Sequence, residues 1–127
     1  MGASTYLANE VVDHVLKTVA FVQPTNVYAS LHAADPGLTG ASELSGGSYA
    51  RALHNTWNAA SGGAATNSGA ITFAQATANW TQATHFGLWD AVTAGNFLGG
   101  GALDTAKTVL SGDTAEFASA ALTVTMS

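Results

Sequence analysis

The hydrophobic period of this chain changes once, near Pro24, and that change separates one helix from a series of short strands. In STYLANEVVDHVLKTVAF, Leu7, Val11, Val15 and Val19 stand four apart with Val12 and Leu16 beside them, which makes one apolar helical stripe. Ser4 or Thr5 can cap the first turn. Glu10 and Asp13 lie toward the positive end of the helix dipole and Lys17 toward the negative end. The β-branched valines lower helix propensity, so packing must hold the segment, and Pro24 bars it from continuing. The pattern predicts a helix over about residues 4–20 and a β-rich region over about 25–127.

From Asn26 the period is two. In NVYASLHAAD, Val27, Ala29, Leu31 and Ala33 point one way and Tyr28, Ser30 and His32 the other, and the DPG turn at 35–37 stops the strand. Further strands are expected at 48–58, 70–75, 82–90, 96–103 and 114–126, with turns at ASGGAATNSG, TAGN and LSGD between them. Short strands at this spacing predict a mainly β chain, an antiparallel β-sandwich or barrel-like domain with one N-terminal α-helix. At 127 residues the chain is the size of a single domain, 1–127.

Charge narrows the function classes. Only 9% of residues are charged, against about 25% in an ordinary soluble domain. The net charge is −5, and the basic residues are Lys17, Arg51 and Lys107, well apart in sequence. Nothing there neutralises a row of phosphates, so neither direct nucleic-acid binding nor an anionic membrane surface is expected. The chain has no cysteine, which removes disulfides and thiolate metal sites. No signal-peptide pattern or membrane-length apolar run is present, so a soluble product made in the cytoplasm is expected. A weakly charged, small-residue surface also suits proteins that stay packed against other proteins.

Catalytic and ligand-binding patterns are weak. His32, His54, His85 and Asp90 could converge as a metal site, but their spacing has no ligand signature, and alternation puts His85 and Asp90 on opposite strand faces. There is no nucleophile elbow, and LGGGALD lacks the ending of a phosphate loop. No enzyme activity, metal or cofactor is expected. Tyr28, Trp57, Trp80, Phe86 and Trp89 could form a sugar-stacking platform, although so few large rings are more readily spent on a core or an interface. In GGSYAR, residues 46–51, both glycines suit positive φ, Arg51 is expected to pair with Glu43, Asp90 or Asp104, and Tyr49 to pack on the helix.

Ser4–Leu16, Pro24–His32, Asp35–Pro36, Gly46–Arg51, Ser61–Ala91, Gly95–Leu98 and Ser111–Leu122 together resemble a family of small tailed-bacteriophage virion structural proteins. Its members are similar to capsid decoration, tail-fibre or minor tail proteins. The resemblance implies a non-enzymatic virion component. The absence of stem repeats favours a capsid decoration, or cement, protein on the outer surface of the shell. Its partner would be the major capsid protein, and it would form a homo-oligomer, dimer or trimer. The alternative is a minor tail or tail-fibre-associated protein that binds tail proteins, with possible carbohydrate contact at the host. Interface candidates are Leu7, Val11 and Val15 on the helix, the 36–47 loop with Tyr49 and Arg51 beyond it, and the aromatic residues Trp57, Trp80 and Trp89.

Overall fold

The structure, a computed structural model, describes residues 2–126. Ser4 caps helix α1 (Thr5–Val15), with its backbone extended and its Oγ accepting the Leu7 N–H at 3.0 Å. The helix ends earlier than expected. Lys17 adopts a left-handed conformation (φ 65°), and its N–H turns back onto the His14 carbonyl. The Phe21 N–H then donates to His14 Nδ1 at 3.1 Å, so the chain is already reversing before Pro24.

The strands are β1 (Tyr28–His32), β2 (Ala52–Leu53), β3 (Ala64–Thr66), β4 (Ile71–Thr72), β5 (Ala83–Trp89), β6 (Phe97–Lys107), β7 (Glu116–Phe117) and β8 (Thr123–Thr125). They form a four-stranded antiparallel sheet in the order β2-β1-β5-β6 and two two-stranded antiparallel ribbons, β3-β8 and β4-β7. The chain is therefore mainly β with a single N-terminal helix, as its periodicity predicts.

Three strand expectations need correction. The 48–58 stretch pairs only at Ala52–Leu53, and Trp57 makes a lone bridge to Asn67. The 114–126 stretch breaks into β7 and β8 around Ala120, which has φ 63°. β3 lies inside ASGGAATNSG, where only a turn was expected, because its hydrogen-bonding partner is the distant β8.

Buried Asn67 stitches these segments. Its Nδ2 donates to the Gly69 and Ala118 carbonyls, and its Oδ1 accepts the Leu122 N–H.

The apolar core gathers Ala29 and Leu31 of β1, Phe86 and Leu88 of β5, Ile71, Phe73, Trp80, Phe117 and Leu122. The other face of β1 is buried as well, because the loop after the DPG turn folds back over it. The Leu44 N–H donates to the Leu31 carbonyl, and the Ala33 N–H to the Ser42 carbonyl. Ser30 and His32 are thereby sealed inside, both fully buried. In the same interior, Gly87 is required on β5: a Cβ there would stand 2.6 Å from Ser30 Oγ and 2.7 Å from His32 Nε2.

Candidate interaction surface

GGSYAR builds a clamp. Gly46 and Gly47 have φ of 80° and 58°, the left-handed values expected of them. Beyond the turn, Arg51 closes a bidentate pair on Glu43, with Nη2 2.8 Å from Oε1 and Nε 2.9 Å from Oε2. Arg51 Nη1 donates to the Ala91 and Ala94 carbonyls, and the guanidinium lies 3.7 Å from the centre of the Trp89 ring. Of the three carboxylates weighed for Arg51, Glu43 is the partner, while Asp90 accepts from Asn96 instead.

Tyr49 packs on Trp80 and Phe73, not on the helix. Its hydroxyl accepts from the Leu31 N–H and donates to Glu43 Oε2. Burial pushes the Tyr49 hydroxyl well above its ordinary range, which keeps it a donor. Burial alone would raise the Glu43 carboxyl, yet the hydrogen bonds from Arg51 and Tyr49 hold it below its usual value. Arg51 is thus a tie between the 43–51 loop, the 91–94 turn and β5, and its side chain is only 7% exposed.

A second polar chain runs beneath it. His32 Nδ1 is 2.7 Å from the Ala41 carbonyl, which can only accept, so Nδ1 carries the proton and Nε2 accepts. Ser30 Oγ, 2.7 Å away, donates to that Nε2 and accepts the Trp89 Nε1–H at 2.9 Å. The Ser–His pair has no access to solvent and serves the fold. Burial lowers the affinity of His32 for a proton. The unfolded chain therefore binds that proton more readily, and stability that is complete above the ordinary histidine pKa of 6.5 is lost progressively as pH falls below it. The depressed Glu43 carboxyl adds a second loss in more acid solution, below its ordinary 4.5. Urea unfolding between pH 8 and pH 5 is expected to show the first decline, and a stability profile flat across that range would contradict it.

The other candidates fall into two groups. Trp80 and Trp89, expected near the surface, are buried, and each indole N–H is satisfied internally, by the Gly47 carbonyl and Ser30 Oγ respectively. With Phe86 also in the core, three of the five rings considered for sugar stacking are unavailable to a ligand. His32, His54, His85 and Asp90 do not converge, and among the described residues no group of three or more metal-binding side chains is present. His85 bonds Thr84, and His54 stands edge-on to Trp57.

Leu7 and Trp57 line an apolar cleft of about 260 Å³ with Val27, Leu88, Leu98 and Val124. Its walls come from α1, β5, β6 and β8, segments whose meeting no local pattern announces.

The helix does not present its apolar stripe to the core. Tyr6 and Leu7 pack inward, Glu10, Val11 and Asp13 are half-buried, and no residue of α1 is fully buried. Val12, Val15 and Leu16 point outward, 53%, 67% and 70% exposed, followed by exposed Val19 and Val22. Of the helix residues named as interface candidates, Val15 is exposed, Val11 is half-buried and Leu7 packs inward.

The sequence of the whole fold matches a family model described as Podophage GP4 fiber I protein gp80, over residues 2–125. No curated protein matches the chain. Since that match takes in the cap, the clamp, the sealed face of β1 and both ribbons, the chain belongs to the Podophage GP4 fiber I protein gp80 family, a family of tailed-phage virion structural proteins.

Proposed function

We propose that the chain is a fibre-associated structural component of the virion that acts through surface contact and catalyses nothing. The family match over residues 2–125 carries this reading, because the family is described as a fibre protein. Two structural features support it. The buried polar side chains that could carry chemistry, Ser30, His32 and Arg51, are committed to internal hydrogen bonds. The exposed side of α1 is apolar, as a contact surface requires. Tail or fibre proteins are then its partners.

The capsid decoration reading keeps one supporting observation. The described chain contains a single helix of 11 residues, which supplies no stem. A compact plug of this kind also suits a seam between capsomers. Copy number per virion, measured by gel densitometry together with immunogold labelling, separates the two. A few to tens of copies on the fibre or tail are expected, and hundreds spread over the head would overturn the fibre assignment in favour of decoration.

A further inference from the structure

Between Ala33 and Glu43 the chain leaves β1, closes a compact loop and returns across the Ser30–His32 face. The loop is held together from within: the Gly40 and Ala41 N–H groups both donate to the Pro36 carbonyl, and the Gly37 N–H donates to Asp35 Oδ1. What ties it down is sparse. Within 34–42 only Pro36 is buried. The loop is bonded to the rest of the domain through the Ser42 carbonyl, which accepts the Ala33 N–H, the Leu38 carbonyl, which accepts the Thr5 N–H, and the Ala41 carbonyl, which accepts His32 Nδ1–H. Ser42, where the loop rejoins the fold, is held at φ 65°, a left-handed conformation that costs a non-glycine residue energy.

Beneath the loop lie aromatic rings. A Cβ at Gly40 would stand 2.5 Å from Trp89 Cζ2 and 2.9 Å from Phe97 Cγ, so bare backbone seals the Trp89–Phe97 pair, whose ring centres are 5.1 Å apart. The His32 ring completes this layer, its centre 6.1 Å from that of Phe97, and its Nδ1 is bonded to the loop itself. A proton on Nε2 conflicts with the closed arrangement. Ser30 Oγ donates to Nε2 and accepts from Trp89 Nε1–H, so once Nε2 is protonated both neighbours of the hydroxyl are donors and the serine proton loses its acceptor. Burial is the largest influence on His32 and lowers its affinity for a proton. The Ala41 carbonyl and Glu43 favour the proton, while Arg51 and His85 oppose it.

We propose that residues 34–42 are an acid-opened strap: a proton taken up by His32 releases the loop from β1 and bares Trp89 and Phe97, while the sheet beneath stays formed. Both ends remain anchored. Glu43 is held by Arg51 and the Leu44 N–H by the Leu31 carbonyl at one end, and Thr84 Oγ1 donates to the Ala33 carbonyl at the other. The loop therefore swings as a unit with its internal turn intact, and Ser42 is the hinge that relaxes. Opening hydrates the imidazolium, so His32 binds its proton near the ordinary histidine value of 6.5 in the open form and less readily in the closed one. The closed form holds its full advantage above that value and loses up to about tenfold of it per pH unit below, for one proton. Through Leu38 the opening also frees the Thr5 N–H, so the first turn of α1 feels it. The device is a property of the chain alone and stands whether or not the fibre assignment does.

Amide hydrogen exchange of the full chain between about pH 7 and pH 5.5, corrected for the intrinsic pH dependence of exchange, tests the strap. Opening constants at the Ala33 and Thr5 amides are expected to rise by up to about tenfold per pH unit below 6.5, whereas Gly40 and Ala41, bonded within the loop, and the amides of β5 stay unchanged. Loss of protection at all of these together means global unfolding and overturns the proposal, as does an Ala33 opening constant that ignores pH. His32→Gln keeps a donor and an acceptor but cannot titrate, and is expected to abolish the rise. Should that variant fail to fold, His85→Gln decides the matter: the rise persists in it if His32 binds the proton, and its disappearance would assign the proton to His85 and overturn the proposal.

Discussion

Replacing Arg51 by alanine is expected to destabilise the fold by about 3–5 kcal/mol, the range seen when one partner of a buried ion pair is removed. The size of the effect follows from what the guanidinium leaves behind. Glu43 would lose both of its Arg51 hydrogen bonds while remaining half-buried, the Ala91 and Ala94 carbonyls would lose a donor, and Trp89 would lose a cation from its face. Thermal unfolding should shift down by more than about 10 °C. Arg51→Lys should recover only part of the loss, because an ammonium cannot make the bidentate bond and cap two carbonyls together. The double variant Arg51→Ala, Glu43→Gln should cost clearly less than the sum of the singles, since it leaves no unpaired charge. Additive costs would mean that the two side chains are not coupled.

Gly87→Ala is the second large effect, expected at about 3 kcal/mol, the upper part of the range for overpacking an interior. The new methyl would press on Ser30 Oγ, His32 Nε2 and Phe97 Cε1, all within 2.8 Å of where it must sit. None of these belongs to a flexible chain end, and moving Ser30 also detaches Trp89 Nε1. Trp89 emission should therefore change along with stability. A variant of native stability and native emission would show that the sealed face of β1 yields more easily than its geometry implies. Ser30→Ala makes a useful companion, because it removes the nearest clash yet orphans the Trp89 N–H. The pair should therefore not restore native stability.

Much of this architecture is legible in the amino-acid sequence. The Ser4 cap, the DPG turn, the β1 and β5 alternation and the positive φ of Gly46 and Gly47 all rest on chemistry local to a few residues. The pairing of Arg51 was legible as a choice among three carboxylates, and only the fold-back of the 35–44 loop selects Glu43. What escaped the sequence is non-local. β3 is a run of Ala and Thr with no apolar alternation and becomes a strand only because β8 lies beside it. Trp80 and Trp89 looked like surface rings until Gly47 and Ser30 took up their N–H groups. The helix stripe was read correctly as apolar. Which of its residues face inward was not legible, because α1 contacts the sheet chiefly through β6 and leaves Val12, Val15 and Leu16 open.

The strand pairing also governs how the protein reaches its native state. Ala64 has to find Thr125, Ile71 has to find Phe117, and Tyr28 has to find Trp89, so among the described strands only β1-β2 and β5-β6 pair strands that follow one another along the chain. Such long-range closure places folding toward the slow end for a small domain, on the order of milliseconds to seconds. On the ribosome the β3-β8 ribbon cannot form until Thr123–Thr125 have emerged, and until then the valines of α1 and the edges of the earlier strands stand exposed together. The chain therefore passes through a sticky interval before its strands close, and slower synthesis at lower temperature should improve its soluble yield.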